Sequence, residues 1–337
     1  MPTQLNRDIY ALFLPILPRL EISDSTARYL DRGGISLLFG ETREEYVSHV
    51  IDPLRVAEES FESWDKTIGD ARKIAGPVLV AVDAEIGGIQ RLHQLVPPLP
   101  SLKEAQDGAA DRIAYQSRAV AQAARKLGVN VFLSPVADVL AGPNPWLEGR
   151  TLGTDLETVA KIVGAFVSGV QSGGVAATVK HFPGHPVCEL DPAVSEGVVP
   201  WSLDRLRAQF GPFRAGIDAG ADVVMMGPAI FSALAQPMAA SISPELISLL
   251  RDELGFRGVV LTDDLDWKAT IRDNSMEATA IAAVAAGADW MLVSANGVRH
   301  IPSMVEALEA AAMRGEISAE RIASSAAKLR TLAARLT

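Results

Sequence analysis

The sequence has little of what marks secreted, membrane-spanning or nucleic-acid-binding proteins. Its 337 residues include one cysteine, Cys188, so no disulfide can form within the chain. This favours a reducing compartment and predicts a cytoplasmic protein. The formal net charge of −10 argues against nonspecific binding to nucleic acid or to an anionic membrane. No segment is apolar for long enough, without a charge, to span a bilayer.

The first 20 residues also lack the marks of a targeting sequence. They have no basic start and no small-residue cleavage site, and two prolines interrupt their apolar run. We therefore interpret Ile9–Leu17 as a first strand rather than as part of a signal peptide. No low-complexity linker divides the chain, so residues 1–337 are predicted to form one catalytic domain.

What the sequence does contain is a regular alternation. Short runs rich in Val, Ile and Leu are followed by longer segments of helical period, as in parallel sheets whose strands are buried on both faces. The predicted strands are Ile9–Leu17, Gly34–Phe39, Pro77–Asp83, Val129–Val136, Ala176–Phe182, Asp222–Gly227, Gly258–Asp263 and Asp289–Ser294. Eight strand–helix units predict an α/β protein, a single-domain (β/α)8 or TIM barrel, with an open doubly wound sheet as the alternative. No GxGxxG or GxxxxGK[ST] motif is present, which disfavours the nucleotide-binding open sheets.

Several predicted helices have recognisable ends. Asp107–Leu127 has helical apolar spacing and stops at Gly128, a residue type common just after a helix. Thr154 and Glu157 have the spacing of a capping box and predict the start of another helix. Ser243-Pro244 is typical of an N-cap followed by the first helical position.

Polar side chains collect where the predicted strands end. They are Asp83, Glu85, Ser134, Asp138, Lys180, His181, His185, Thr262, Asp263 and Asp264. In a parallel barrel the carboxyl ends of all strands meet at one face, and active sites of such barrels lie there. The sequence therefore predicts a polar site at that face.

Asp263 is the strongest single candidate for that site. The run GFRGVVLTDDLDW places a carboxylate directly after an apolar strand. A carboxylate at the barrel mouth is costly to bury unless it is paired. We expect one of Asp263 and Asp264 to cap the next helix, as Asp often does, and the other to be functional.

Lys180 and His181 are the second candidate. Consecutive residues of a strand point to opposite faces, so one would reach the pocket and the other would brace a loop. If the strand has already broken, both would reach the pocket. Together with Arg91 and Arg150, they are predicted to hold the hydroxyl groups of a sugar.

The loop after the fifth strand has a superficial likeness to a metal site. His181, His185 and Cys188 follow an H-x3-H-x2-C spacing. Zinc sites normally need a fourth ligand or an open position with firmer spacing. We therefore predict no metal and no organic cofactor.

Five motifs follow one another along the chain, four of them at predicted strand ends. They are DAEIGGIQR at 83–91, SPVAD at 134–138, RTLG at 150–153, KHFPGH at 180–185 and GFRGVVLTDDL at 255–265. Together they resemble glycoside hydrolase family 3, in its bacterial β-N-acetylglucosaminidase branch. The corresponding motifs of that branch are DQEGGRVQR, SPV-x-D, RSFG, KHFPGHG and GFxGVVxSDDL. The resemblance covers nearly the whole chain.

The resemblance implies a retaining mechanism through a covalent glycosyl-enzyme, on a β-linked sugar of the N-acetylglucosaminide kind. Asp263 matches the family's nucleophile. The positions that hold the sugar in the −1 subsite are matched by Asp83, Arg91, Arg150, Lys180 and His181. An oxocarbenium-like transition state needs an anion on one face and a proton donor near the leaving oxygen. The implied partner is a small carbohydrate or glycoside.

The loop after the fifth strand departs from the family pattern. In this branch the loop carries an Asp-Ser-His triplet whose His is the general acid/base and whose Asp orients it. Asp191 matches the Asp, but Pro192 and Ala193 follow it, so the His is missing from its place. We expect the proton donor, or its orienting partner, to be Asp191, Glu189 or His185.

Three further positions differ from the family motifs. Pro186 stands in place of the final Gly of KHFPGHG, and it must change the backbone of the loop. Ile86 and Gly88 replace a Gly and an Arg in the earlier motif. The sugar site is therefore expected to be partly rebuilt, and another hexose or amino sugar is an alternative substrate.

Three functions stay open on the sequence alone. The first is a glycosidase or transglycosidase with a replaced proton donor, which passes the sugar to water or to an unusual acceptor. The second is a catalytically inactive sugar-binding protein. The third is an unrelated barrel lyase or aldolase that uses Lys180 as a Schiff-base lysine.

Overall fold

The computed structural model describes residues 3–42, 45, 48, 50–295 and 297–337. Its main sheet consists of β1 (Phe13–Leu17), β2 (Ser36–Phe39), β3 (Leu79–Val82), β4 (Val131–Phe132), β5 (Ala176–Phe182), β7 (Val223–Met226), β10 (Val259–Leu261) and β11 (Met291–Val293). Neighbouring strands are parallel, in the order β10-β7-β5-β4-β3-β2-β1-β11. A parallel bridge between Leu261 and Trp290 joins the two ends. The predicted (β/α)8 barrel is therefore confirmed.

Helices surround this sheet. They are α1 (Gln4–Ala11), α2 (Asp24–Asp31), α3 (Pro53–Glu58), α4 (Phe61–Ala75), α5 (Leu102–Asp107), α6 (Ala110–Lys126), α7 (Leu156–Ser172), α8 (Leu203–Arg207), α9 (Gly211–Asp218), α10 (Pro244–Ser248), α11 (Lys268–Ile271), α12 (Met276–Ala286), α13 (Ile301–Met313) and α14 (Ala319–Leu336). A π-helical turn, Leu249–Glu253, extends α10. The helices bury apolar faces against the strands, which are themselves almost wholly buried.

A small second sheet is made of β6 (Val198–Val199), β8 (Ile230–Phe231) and β9 (Met238–Ala239). β6 and β8 are parallel, and β8 and β9 are antiparallel. β8 and β9 follow the carboxyl end of β7 along the chain, and a 3₁₀ turn at Ala240–Ile242 comes directly after them. This segment packs against the mouth of the barrel.

The start of the chain differs from the prediction. Ile9–Ala11 belong to α1, whose N-cap Thr3 accepts a hydrogen bond from the Asn6 N–H. The strand begins only at Phe13. The apolar run of Ile9–Leu17 therefore contains both a buried helix end and a buried strand. A continuous run of apolar residues is compatible with either, so the sequence pattern does not separate them.

The helix at Thr154 also begins differently from the prediction. Its N-cap is Asp155, whose carboxylate accepts from the Thr158 N–H at 2.8 Å. Thr154 lies outside the helix. Asp and Thr are both good N-caps, so the sequence alone does not show which of the two adjacent residues caps the helix. The N-cap at Ser243 is confirmed, because its hydroxyl accepts from the Leu246 N–H at 3.2 Å.

A buried charge cluster lies at the amino ends of β10 and β11. Asp289 is fully buried and forms ion pairs with Arg251 at 2.7 Å, Arg321 at 3.0 Å and Lys328 at 3.3 Å. It also accepts from the backbone N–H of Val260 at 3.1 Å. Burial would raise the pKa of Asp289, but the surrounding cations hold it below its usual value. Polar groups at this end of a parallel barrel serve stability.

No helix among the described ranges has both the length and the apolar character needed to cross a membrane. The assignment of residues 1–337 to one catalytic domain stays a prediction.

Candidate active site

The polar residues at the strand ends surround one pocket in the barrel mouth. It is lined by Leu38, Asp83, Leu133, Arg150, Lys180, His181, Met225, Asp263, Asp264, Trp267 and Leu292. Apart from Arg150 and Trp267, which lie on longer connections, these residues belong to seven of the eight barrel strands or lie within three residues of their carboxyl ends. Five residues predicted from the sequence therefore lie together: Asp83, Arg150, Lys180, His181 and Asp263.

Asp263 lies two residues beyond the end of β10 and is 4% exposed. Its Oδ1 accepts from the backbone N–H of Asp264 at 2.8 Å. Its own N–H donates to the hydroxyl of Ser241 at 3.0 Å. Its Oδ2 is buried and has no hydrogen-bond partner among the described residues. One oxygen is thus fixed and the other is available to a ligand.

Burial raises the pKa of Asp263 to about 6, in spite of the Asp264 N–H and the positive charges of Lys180 and Arg150. The carboxylate is therefore mostly ionised at neutral pH, but only weakly solvated. An anion in that state is a better nucleophile than one that is fully hydrated.

Neither Asp263 nor Asp264 caps the next helix, so that expectation was wrong. α11 begins at Lys268, four residues after Asp264, and the residue at its N-cap position is Trp267. Both carboxylates line the pocket instead.

Lys180 is held between two carboxylates. Its Nζ lies 2.7 Å from Asp83 Oδ1 and 2.7 Å from Glu85 Oε1. Arg150 pairs with the same Glu85, with Nη2–Oε1 at 2.7 Å and Nε–Oε2 at 3.2 Å. All four side chains are buried. Two cations and two anions therefore form a neutral network, which fixes each head group in position.

The network decides the charge state of Lys180. Burial alone would lower its pKa, but Asp83 and Glu85 outweigh burial and keep that pKa above its ordinary value. Burial would likewise raise the pKa of Glu85, yet Arg150 and Lys180 hold it well below its usual range. A Schiff-base lysine needs a lowered pKa so that its amine is neutral. The geometry therefore opposes the lyase or aldolase alternative.

His181 and His185 share one buried carboxylate. Asp138 Oδ2 accepts from the His181 N–H at 2.9 Å and lies 2.8 Å from its Nδ1. Asp138 Oδ1 accepts from the His185 N–H at 2.8 Å and lies 3.0 Å from its Nδ1. The indole of Trp146 packs on both rings, with centroids 4.6 and 5.2 Å away.

Burial and the contact with Asp138 together determine the protonation state and tautomer of His181. Burial lowers its pKa to about 3, in spite of the attraction of Asp138, so the ring is neutral at physiological pH. Burial would raise the pKa of Asp138, but its two histidine partners hold it well below its usual value. Since an ionised carboxylate can only accept, Nδ1 of the neutral ring carries the proton and Nε2 is the acceptor.

Lys180 and His181 both line the pocket, although β5 continues to Phe182. The pairing of β5 with β7 shifts register between Lys180 and Phe182. The peptide bond between Lys180 and His181 is cis, as are those before Pro135 and Pro183.

Arg91 is not among the residues that line this pocket. Its guanidinium donates to both oxygens of Glu59, at 2.7 and 2.6 Å. It lies over the ring of Trp64, with 5.2 Å to the centroid, and its Nε donates to the Gly40 carbonyl at 3.3 Å. It thus ties the segment after β2 to the one after β3. A role for Arg91 in sugar binding stays a prediction.

The three candidates for the proton donor lie in different surroundings. His185 is fully buried beside Phe231 and is not a lining residue of the pocket. Glu189 is exposed and lines a separate surface groove with Val187 and Pro200. Asp191 is partly buried, and its Oδ1 accepts from the Ala193 N–H at 2.9 Å.

The turn at Asp191 packs against the mouth of the barrel. The carbonyls of Pro192 and Ala193 accept from the N–H groups of Ala269 and Lys268, at 3.0 and 3.2 Å. These two residues directly follow Trp267, which lines the pocket. Of the three candidates, Asp191 therefore lies on the segment best connected to the pocket.

Glu85 and Asp138 were predicted only as polar residues at strand ends, without a role of their own, and Ser241 was not predicted at all. Glu85 and Asp138 stand in motifs at strand ends, so their position was a usable signal. Ser241 lies far from the ends of the predicted barrel strands, and none of the sequence motifs includes it.

No group of three or more His, Cys, Asp or Glu side chains suited to a metal ion occurs in the part of the chain that the structure describes. Within the H-x3-H-x2-C spacing, the two histidines turn their Nδ1 atoms to Asp138. Cys188 donates instead to the Leu190 carbonyl at 3.2 Å.

Comparison with known proteins agrees with this architecture. The chain is 39% identical over 229 residues to a β-hexosaminidase of Stenotrophomonas maltophilia, which covers 64% of this chain and 67% of that protein. A family 3 β-N-acetylglucosaminidase from Paenibacillus superposes with a TM-score of 0.87 at 30% identity, over 99% of this chain. This chain spans 63% of the length of the Paenibacillus chain.

A β-N-acetylhexosaminidase from Beutenbergia cavernae has nearly the same extent. It superposes with a TM-score of 0.83 at 27% identity, over 98% of this chain and 99% of its own. The family model described as the glycosyl hydrolase family 3 N terminal domain matches residues 18–332. The chain therefore belongs to glycosyl hydrolase family 3.

Proposed function

We propose that this protein is a retaining glycosidase of the β-N-acetylhexosaminidase type, with Asp263 as its nucleophile. The observation that carries the proposal is the state of that carboxylate. It is buried at the centre of a polar pocket, with one oxygen fixed by the Asp264 N–H and the other free of partners among the described residues. The relatives named β-hexosaminidase and β-N-acetylglucosaminidase support a 2-acetamido sugar as the substrate.

The surrounding charges suit the proposed reaction. As the glycosidic bond breaks, positive charge develops on the sugar ring, and the Asp263 carboxylate stabilises it and then forms the covalent bond. Asp83, Arg150 and Lys180 present donors and acceptors, and ion pairs from Lys180 to Asp83 and from Lys180 and Arg150 to Glu85 set their positions. His181 adds a neutral acceptor at Nε2. Groups held in this way orient the sugar without reorganising during the reaction.

We propose Asp191 as the group that assists proton transfer. Its turn is attached to the residues that follow Trp267, whereas His185 is enclosed and Glu189 faces another groove. General acid/base assistance is worth about 10²–10⁴-fold in rate. An enzyme with a remodelled donor is therefore expected to favour leaving groups that need little protonation, and to pass the sugar to an acceptor other than water as well.

A catalytically inactive sugar-binding protein is the second candidate. The loss of the family's acid/base histidine, where Pro192 and Ala193 now stand, is the observation that favours it. The retained Asp263 and its unshared oxygen favour catalysis. A cytoplasmic location, inferred from the single cysteine, stays part of the proposal.

The first test is turnover of dinitrophenyl and methylumbelliferyl β-glycosides. The panel includes N-acetylglucosaminide, glucoside, galactoside and xyloside. Asp263→Asn keeps the shape of the side chain and removes the nucleophile, and Asp266→Asn is a matched control, because Asp266 is not a lining residue of the pocket. We expect turnover of the N-acetylglucosaminide in the protein and the control, and none in Asp263→Asn.

Substrates with different leaving groups test the role of Asp191 and distinguish a glycosidase from a protein that only binds sugar. Dinitrophenolate departs without protonation, so it reports the nucleophile alone. Methylumbelliferone is a poorer leaving group, and we expect Asp191→Asn to slow that substrate selectively. Equal loss with both leaving groups would contradict the role of Asp191. Saturable binding of the sugar with no turnover of any dinitrophenyl glycoside would favour the binding protein.

A further inference from the structure

The backbone of the nucleophile is attached to a neighbouring part of the barrel. β10 ends at Leu261, so the N–H of Asp263 takes no part in strand pairing. That N–H donates to Ser241 Oγ at 3.0 Å, and both residues are buried. A serine on the 3₁₀ turn after β9 therefore provides the acceptor that the strand does not.

Ser241 is itself held in place. Its N–H donates to the Gly227 carbonyl at 3.0 Å, and its hydroxyl lies 3.1 Å from the same carbonyl. Gly227 directly follows β7, the neighbour of β10 in the barrel. A hydroxyl has one proton to donate and can accept as well. Ser241 Oγ therefore donates to Gly227 and accepts from Asp263, which links the ends of two strands.

We propose that Ser241 is a positioning residue for the Asp263 nucleophile. The inference rests on the proposed function, because it concerns the same reaction. The serine fixes the backbone on one side of Asp263, and the Asp264 N–H fixes the Oδ1 atom. Together these two bonds set the direction in which Oδ2 enters the pocket.

Removal of the hydroxyl is expected to act on the chemical step. Ser241→Ala leaves the buried N–H of Asp263 without an acceptor, so the segment shifts to find one. Misplacement of a reacting group by about 1 Å can cost about 100-fold in rate. We expect the rate constant for attack to fall about 10–100-fold, with a much smaller change in KM, since the residues that hold the sugar are untouched.

The chain offers a matched control in Ser243. It is also buried, and its hydroxyl caps α10 by accepting from Leu246 at 3.2 Å. Ser243→Ala therefore removes one buried hydroxyl from the same segment without touching Asp263. Ser241→Thr keeps an oxygen at the same position and is expected to restore most of the rate. Ser241→Cys, with a weaker acceptor of similar size, should lie between Thr and Ala.

The experiment measures how fast 5-fluoro-β-N-acetylglucosaminyl fluoride labels Asp263, and the kcat and KM for the dinitrophenyl glycoside. The expected order of labelling rates is Ser, Thr, Cys, then Ala at position 241, with Ser243→Ala close to the unmodified protein. Equal rates in Ser241→Ala and Ser243→Ala, or a slow Ser241→Thr, would overturn the proposal. If Ser241→Ala does not fold, the order of Ser, Thr and Cys decides in the same way.

A separate measurement covers the case in which the unmodified protein is not labelled at all, which would contradict the proposed function. Carboxyl ¹³C NMR of aspartate-labelled protein follows the titration of Asp263 without substrate, and Asp263→Asn assigns its signal. In Ser241→Ala the bond from the Asp264 N–H weakens, so the pKa of Asp263 should rise further. An unchanged titration in Ser241→Ala would overturn the positioning role by itself.

Discussion

Replacement of Asp138 by asparagine is expected to destabilise the protein and change the chemistry of its pocket. The Asp138 carboxylate accepts four hydrogen bonds, two from backbone N–H groups and two from the Nδ1 atoms of His181 and His185. An asparagine presents one oxygen and one NH2 group. Its NH2 group must therefore face one pair of N–H donors, and two buried donors lose their acceptor.

The size of the effect follows from those contacts. A buried donor left without an acceptor costs about 1–3 kcal/mol, so two of them cost about 2–6 kcal/mol, and one alone if the histidine ring changes tautomer and accepts from the NH2 group. The free energy of unfolding of a typical domain is about 5–15 kcal/mol. We therefore expect Asp138→Asn to lower the urea midpoint strongly. Asp155→Asn is a suitable control, because Asp155 caps α7 on the surface and asparagine caps a helix equally well.

The same substitution is expected to change a histidine tautomer. If the NH2 group faces the Nδ1 atom of His181, the ring must accept there and carry its proton on Nε2. The pocket then loses an acceptor and gains a donor. We expect kcat/KM to fall by about tenfold or more, as for an unsatisfied hydrogen bond. Nitrogen NMR of the imidazole rings distinguishes the tautomers.

The pH dependence of stability gives a further check on Asp138. Its pKa in the folded protein lies well below the ordinary value, so its contribution is fully present above pH 4, about the pKa in the unfolded chain. The contribution is lost as pH falls below that value. The difference in stability between the unmodified protein and Asp138→Asn should therefore narrow below pH 4. A loss under about 1 kcal/mol at pH 7, with an unchanged tautomer, would refute the reasoning.

Three other predictions concern single residues. The pKa of Asp263 is raised to about 6, so its ionisation opposes folding as pH rises. In urea titrations Asp263→Asn should therefore be more stable than the unmodified protein by up to about 3 kcal/mol at pH 8, but not at pH 4. No gain at pH 8 would contradict this prediction. A Cβ on Gly227 would lie 1.9 Å from His185 Cε1, so Gly227→Ala should cost about 1–3 kcal/mol. Gly69→Ala, on an open helix face, should raise the free energy of unfolding by about 0.5–1 kcal/mol. Thermal melts compare the two variants, and equal effects would refute the clash at Gly227. Arg91→Met should lower the free energy of unfolding by about 1–3 kcal/mol, because Glu59 loses its bidentate partner but keeps Arg55 at 3.5 Å and His93 at 3.2 Å. A large rise in KM would support a role for Arg91 in sugar binding, and an unchanged KM would contradict it.

The alternation of apolar runs was enough to predict the barrel. Ala176–Phe182 was predicted with the observed bounds, and the other strands were located within a few residues. The exception was the first strand, where Ile9–Ala11 are helical. A helix end and a strand that are both wholly buried have the same composition there, so only the packing of α1 separates them.

The site was predicted where it depends on strand ends and not where it depends on long-range contacts. Asp83 and Asp263 follow strands and Lys180 lies near the end of β5, and their convergence on one face is a property of any parallel barrel. The engagement of Arg91 with Glu59, and of Asp263 with Ser241, joins segments 32 and 22 residues apart. No local pattern encodes such pairings, because they depend on which loops the barrel brings together.

The buried charge cluster at Asp289 has a consequence for the order in which the chain folds during synthesis. Asp289 opens the segment that closes the barrel, yet two of its three cationic partners, Arg321 and Lys328, lie on α14. A ribosome-bound chain that has not yet exposed α14 must bury this carboxylate with Arg251 alone. Closing the barrel with β11 is therefore energetically unfavourable until that helix emerges. The nascent barrel is expected to stay open, and accessible to chaperones, until α14 has emerged from the ribosome.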